Sequence, residues 1–280
     1  MTGAEALRVA LPRLQAAGVE GAARDLRLLL AFAIGIPPDR LTLMLNDPLS
    51  DAAIARFDAA VAARAARQPV SQIVGGRLFW GRWFRVTPDV LDPRPETETL
   101  IAAALSGVFS RVLDLGTGSG AILITLLAER SGAVGTGVDL SEKALSVAAG
   151  NATSLLVADR ATFLQSDWLR GVSGTFDLVA ANPPYISEAE MPGLSPEVGL
   201  WEPRLALTPG GDGLEAYRSI LRDIRTVLAP SARVLLEIGA SQGDAVASLC
   251  RTAGLQAVLV LQDIDGRDRV VSAIAPPGGL

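Results

Sequence analysis

The sequence predicts an α/β protein: a doubly wound, mostly parallel seven-stranded sheet, with a small N-terminal helical domain and a β-hairpin connector. Three observations carry that expectation. Apolar residues recur at spacings of three and four through residues 1–70, the period of an amphipathic helix. Past residue 108, apolar runs of strand length alternate with stretches of helix length, the pattern of a sheet wound with crossover helices. A glycine-rich turn, Gly116-Thr117-Gly118-Ser119-Gly120, closes the first of those runs.

In the first segment, Ala6, Leu7, Ala10, Leu11 and Leu14 mark one helix, which Gly18 ends. Leu26, Leu28, Leu29, Leu30 and Phe32 mark a second, interrupted at Ile36-Pro37-Pro38. Ile54, Phe57, Ala60, Val61 and Ala65 mark a third, with Ser50 or Asp51 as its cap. A helical bundle of this size suits recognition of a substrate better than catalysis. From Pro69, SQIVGG and RLFWGRWFRVTP are expected to form a β-hairpin or extended connector over 71–95. Pro93 and Pro95 keep the chain extended before a helix begins within Glu96 to Leu100.

The α/β domain is expected over 96–280. Its strands are 111–115, 133–140, 161–167, 176–182, 232–239, 256–263 and 268–275, with helices near 120–130, 141–150, 214–228 and 241–253. The last two strands are joined by a short DIDGR turn, so the final one should enter antiparallel.

Composition narrows the chemistry. With 49% apolar and 20% charged residues, the 280-residue chain can bury a substantial core, which excludes disorder. No stretch approaches the ~20 apolar residues that cross a bilayer, and the N-terminus alternates charged and apolar residues at helical spacing, so a cytoplasmic protein is expected. There is no histidine and one cysteine, Cys250, which excludes a His-based triad, an internal disulfide and a zinc site of the usual Cys/His type. No bound metal is expected. Cys250 lies in an apolar helical run and is expected to be a buried structural thiol. The net charge of −5 disfavours broad binding to polyphosphate, although 24 of the 25 basic residues are arginine and Lys143 is the exception.

The candidate site residues cluster at strand ends. In the turn Gly116 to Gly120, glycine lets the backbone approach a ligand, and the G-x-G-x-G spacing differs from the G-x-G-x-x-G of dinucleotide sites. Asp139 ends the second strand, where a carboxylate either accepts from both ribose hydroxyls or caps the following helix. Asp167 and Trp168 end the third, suited to an adenine amine and a flat ring, or to a plain surface turn. Asn182-Pro183-Pro184-Tyr185 ends the fourth. Its prolines stiffen the turn, so that the Asn182 side-chain oxygen and the Pro183 carbonyl can accept one hydrogen each from an amino group, with Tyr185 as a flat face. Between this turn and the next helix lies a long proline-, glycine- and acid-rich segment, expected to shape a substrate mouth with negative charge from Glu197 and Glu202. Arg94 and Glu98 are expected either to brace the connector or to meet the substrate.

Together, DLGTGSG, the acidic strand end VD and NPPY resemble class I S-adenosylmethionine-dependent methyltransferases that act on a planar amine or amide nitrogen. The order PRPETE (93–98), DLGTGSGAI, SDW (166–168), NPPYI, EP and AL (202–207), GGDGLEAYR (210–218) and EIG with Gln242 is similar to the release factor glutamine methyltransferases, the PrmC/HemK family. The resemblance covers 69–275. It implies a Rossmann-like methyltransferase sheet and S-adenosylmethionine as cofactor, held by Gly116 to Gly120 and Asp139, with Asp167 and Trp168 at its adenine and Asn182 also beside it. It implies that Asn182 to Tyr185 hold the glutamine of the Gly-Gly-Gln tripeptide of a peptide chain release factor, with Asn182, Pro183 and Tyr185 as catalytic residues. A monomer without direct nucleic-acid or membrane contacts is expected. Two alternatives stay open: an amino-methyltransferase of adenine or cytosine in nucleic acid, and a non-catalytic cofactor-binding module.

Overall fold

A computed structural model describes residues 1–278; residues 279–280, the end of the expected 96–280 domain, lie outside the described residues. The chain divides into two compact units, Met1–Gly76 with Ser195–Trp201, and Arg77–Leu194 with Glu202 onward. Among the described residues, no helix is long and apolar enough to cross a membrane.

The first unit is helical: α1 (Gly3–Ala16), α2 (Ala22–Ile34), α3 (Leu41–Met44), α4 (Asp51–Ala65) and α5 (Val70–Val74). Thr2 and Glu5 form a capping box on α1, and the Ser50 hydroxyl accepts from Ala53 N at the start of α4. Leu14, Leu26, Leu29, Leu30, Phe57 and Val61 form its core. The stretch SQIVGG, expected as part of the hairpin, is instead mostly helix. Val70, Ile73 and Val74 fall at i, i+3, i+4 and pack on the helical core, and Gly75 in the left-handed region (φ 81°) ends α5.

The hairpin proper is β1 (Gly76–Phe79) and β2 (Arg82–Arg85). There follow α6 (Glu98–Leu105), β3 (Arg111–Leu115), α7 (Ala121–Glu129), β4 (Val134–Asp139), α8 (Glu142–Ser154), β5 (Ala161–Gln165) and β6 (Phe176–Ala181). The short helices α9 (Pro196–Trp201) and α10 (Arg204–Leu207) lead to α11 (Glu215–Asp223), β7 (Leu228–Glu237), α12 (Gly243–Thr252), β8 (Gln256–Gln262) and β9 (Asp268–Ile274). The seven-stranded sheet has the order β5-β4-β3-β6-β7-β9-β8. It is parallel from β5 to β7, and β9 pairs antiparallel with both β7 and β8, as the short turn requires.

Both faces of this sheet are buried, and the strand period sorts the residues between them. Leu113, Leu115, Val179, Val234 and Leu236 face a core closed by α11 and α12. Val112, Leu178, Ala180 and Leu235 face the opposite core, closed by α6 and α7. Cys250 is buried in the first, which pushes its thiol up to about 12.

The sequence carried no sign that Ser195–Trp201 belongs to the helical unit. Charge holds it there. Glu197 accepts from Arg67 at 2.6 and 2.7 Å and pairs with Arg64 at 2.9 Å, while Arg64 also bonds Asp25 at 2.8 Å. Arg64 and Asp25 are both buried, and the two guanidinium groups hold the Glu197 carboxyl down at about 2 despite its partial burial. Glu197 therefore does not project the free negative charge expected of it. Replacing it would leave Arg64 short of a partner, so Glu197→Ala should lower unfolding stability by about 1–3 kcal/mol. Hydrogen exchange on the full chain should then quicken in α4; unchanged exchange there would show that the cluster holds nothing.

Candidate functional site

Strand order reverses at β3: the chain moves outward through β4 and β5, then returns to place β6 on the other side of β3. Ligands of open α/β sheets bind at the carboxyl ends of strands flanking such a reversal. A cavity of about 340 Å³ lies there, lined by the ends of β3, β4, β5 and β6, by the connector and by the segment before α11. That volume lies in the range of small-molecule sites.

Of the residues expected at the site, Gly116, Thr117, Gly118, Ser119, Asp139, Asp167, Trp168, Asn182 and Pro184 line this cavity. Gly120, Pro183 and Tyr185 do not. Gly120 adopts φ 81° at the start of α7, and a Cβ there would come within 2.5 Å of Ile124, so it serves helix packing. Pro183 is buried beneath the turn. Tyr185 packs against the α11–α12 core, and its carbonyl accepts from Gln242 Nε2 at 3.0 Å. The structure thus puts the Tyr185 ring on the core side of the loop instead of on the cavity wall.

The glycine turn is shaped by Asp114, which is fully buried at the end of β3. Its Oδ2 accepts from the Thr117 hydroxyl at 2.6 Å and from Leu123 N at 3.2 Å. The Thr117 side chain therefore serves the turn. Gly116 N and Thr117 N both donate to Val138 O, and Gly118 N donates to Asp139 Oδ2 at 2.9 Å. Asp139 Oδ1 accepts from Ser141 N at 2.9 Å, while the cap of α8 is the Ser141 hydroxyl itself. Each carboxylate oxygen has a second lone pair, so Asp139 retains acceptor capacity on the cavity wall. Burial raises its pKa. Asn151 fastens the assembly: its Nδ2 donates to Ser119 O and Arg85 O, and its Oδ1 accepts from Arg85 N, joining the turn to β2.

Trp168 has φ 52°, and its ring lies 3.6 Å from where a Gly116 Cβ would stand. The ring, the glycine turn and Asp139 present an apolar face and an acidic edge to one space. That combination fits an adenosine-bearing ligand: a flat surface for the base, a carboxylate for the ribose and a turn whose Gly116, at φ 72°, brings bare backbone up to the Trp168 ring. Asp167 pairs with Arg170 at 3.4 Å on the exposed side.

The sequence left two roles open for Arg94 and Glu98 and gave none to Thr97. Arg94 forks onto Glu202 at 2.6 and 2.7 Å, and Glu202 is buried, so neither acid of the long segment is a free surface charge. Glu98 Oε1 accepts from Trp80 N at 3.2 Å and braces the hairpin. Thr97 lines the cavity and accepts from Asn182 Nδ2 at 3.3 Å. The motif PRPETE marked this stretch, but no periodicity distinguishes its threonine from its acids.

The fold and site define a class I methyltransferase domain. A family model for a methyltransferase domain matches residues 109–267, and one for the PrmC N-terminal domain matches 5–75. A release factor glutamine methyltransferase of Cereibacter sphaeroides is 62% identical over 276 residues, 99% of either chain. Proteins of the same name from Caulobacter vibrioides and Bacillus subtilis are 42% and 41% identical, covering 99% and 96% of this chain and 98% and 96% of theirs. The chain belongs to the release factor glutamine methyltransferase family. A methyltransferase of Pyrococcus furiosus shares the fold with a TM-score of 0.53 at 17% identity, covering 71% of this chain and 91% of its own.

Three buried carboxyls share an electrostatic signature. Burial pushes Asp114, Glu202 and Glu237 each up to about 7, outweighing the hydrogen bonds and, for Glu202, the Arg94 guanidinium that oppose it; Asp92 beside Glu202 adds to the rise. All three folded-state values lie above the unfolded ones, so the folded chain holds protons that the unfolded chain has lost. Stability is thus present at low pH and declines as pH rises through about 7. Carboxyls held low, such as Glu197, act only below about 4.5. The Tm of the ligand-free protein should fall by about 3 °C or more between pH 6 and 8 by calorimetry, and fall less in Asp114→Asn. A Tm rising over this range would contradict the assignment.

Proposed function

We propose that this chain transfers a methyl group from S-adenosylmethionine to the side-chain amide nitrogen, N5, of the glutamine in the Gly-Gly-Gln motif of peptide chain release factors. The observation that carries this reading is the junction of two features in one cavity: a cofactor cradle and an asparagine whose amide nitrogen is already engaged. Gly116 to Ser119, Asp139 and Trp168 hold the cofactor, with Asp167 at the rim. When bound, S-adenosylmethionine would supply a methyl carbon to the substrate nitrogen, with the C–S bond broken to leave a neutral thioether and one amide proton released to solvent.

The protein's task is orientation. An amide nitrogen is a weak nucleophile because its lone pair is shared with the carbonyl. Asn182 Oδ1, on the cavity wall, accepts one of the two amide hydrogens, which orients the nitrogen and favours its pyramidal form. Pro183 and Pro184 keep this acceptor in place without a flexible chain. A neutral acceptor suits a neutral nucleophile, and no histidine is required. Tyr185 acts by packing the turn, with Gln242 on its carbonyl. The helical unit recognises the release factor, the site of action is the cytoplasm, and the protein binds no nucleic acid directly, in keeping with its net charge of −5.

Methyl-labelled cofactor should mark an intact release factor and spare its Gly-Gly-Gln glutamine variant and DNA; label on DNA would replace the substrate assignment. Asn182→Ala should lower kcat about 100-fold or more, with cofactor Kd changed less than about threefold. Asp139→Ala should instead weaken the cofactor about tenfold or more, as read by calorimetric titration.

A further inference from the structure

Glu237, at the end of β7, is 1% exposed and makes no ion pair among the described residues. The nearby Arg269 guanidinium is committed to Asp263 and to the Ile238 carbonyl. Glu237 Oε2 has no hydrogen-bond partner, and the side-chain hydroxyl that favours the charged form of its carboxyl is that of Thr97. An acid so placed is expensive to bury, and a methionine of similar size would fill the space at lower cost. A packing role does not account for it.

The neighbours do. In the parallel pairing of β6 and β7, Ala181 lies opposite Leu236, which brings the next residues, Asn182 and Glu237, side by side at the carboxyl edge. Thr97 stands between them, accepting from Asn182 Nδ2. A threonine hydroxyl has one proton. If that proton pointed at Asn182, the asparagine would have to turn its oxygen toward Thr97 and present its NH2 to the cavity. With an oxygen of the Glu237 carboxyl accepting that proton, Thr97 would face Asn182 as an acceptor, the arrangement in which Asn182 Nδ2 lies 3.3 Å from the hydroxyl and leaves Oδ1 for the ligand.

We propose that Glu237 and Thr97 are positioning residues that set the amide orientation of Asn182, so that the site offers an oxygen acceptor to a substrate NH2 group. The inference rests on the proposed reaction and names the residues that select its substrate's donor face. Backbone contacts support the same edge: the Tyr217 hydroxyl donates to Glu237 O at 2.8 Å, and Gln242, five residues on, holds Tyr185 O. Arg94, Glu96, Arg269, Tyr185 and Tyr217 are the other titratable groups around the Glu237 carboxyl.

The test compares full-length Thr97→Val, Thr97→Ser and Glu237→Met by steady-state methylation of an intact release factor, with cofactor Kd and Tm measured on each. The expected result is a loss of kcat of fivefold or more in Thr97→Val, with cofactor Kd within twofold of the parent and kcat in Thr97→Ser within threefold. Glu237→Met should lose kcat by fivefold or more at an unchanged or higher Tm, a split that a structural role would not produce. A smaller loss in Thr97→Val, or an equal loss in Thr97→Ser, overturns the proposal. If Thr97→Val fails to fold, Glu237→Met decides it by the same threshold, a loss with falling Tm counting against. Absence of methylation by the parent protein would instead sink the proposed reaction itself.

Discussion

Because β3 pairs in parallel with both β4 and β6, the chain segments that leave these strands emerge on one edge and diverge, since the crossovers after β3 and β6 run to opposite sides. The gap that opens between them is the cavity. Each side contributes what its local sequence permits: glycine at β3, a carboxylate at β4, two prolines behind an asparagine at β6. A sheet wound in one direction only would distribute the same residues along an edge without enclosing a space. The register of a single strand pair therefore precedes every chemical property of the site.

The cost of that arrangement is carried by buried acids. Asp114 has two hydrogen-bond donors on one oxygen and none on the other. It ties the turn to α7 from inside the sheet, where water cannot compete for the bonds. Glu202 anchors the segment after β6 through Arg94, which fixes one wall of the cavity to the connector. Surface ion pairs could not do this, because exposed pairs contribute little and hold no geometry. The protein has placed its rigid fastenings in the interior and accepted raised pKa values in exchange.

Much of this was legible from the residues. The strand runs, the glycine turn, Asp139 and the Asn-Pro-Pro turn follow from local rules of period, turn chemistry and proline restriction, and those rules act over a few residues. What escaped was set by tertiary partners. VSQIV has the β-branched residues of a strand and became a helix because Val70, Ile73 and Val74 met an apolar bundle. Tyr185 is aromatic beside a binding turn, yet its ring packs on the core behind the turn. Glu197 and Glu202 look like solvated acids until Arg64, Arg67 and Arg94, more than 100 residues away in sequence, are placed beside them.

The absence of histidine gives these features a common reason. A site that moved protons at neutral pH would need a group titrating beside the substrate. In the proposed reaction the demand is geometric: a neutral amide must be held by an acceptor whose direction does not fluctuate. An asparagine side chain alone has two nearly isosteric orientations, and only its neighbours choose between them. Placing the choice on a threonine and a buried carboxyl, away from the cofactor, separates selection of the substrate from binding of the methyl donor. The two halves of the cavity can then be specified by different strands, which is why the Asn-Pro-Pro turn is braced from β7 and the glycine turn from β3, β4 and α8.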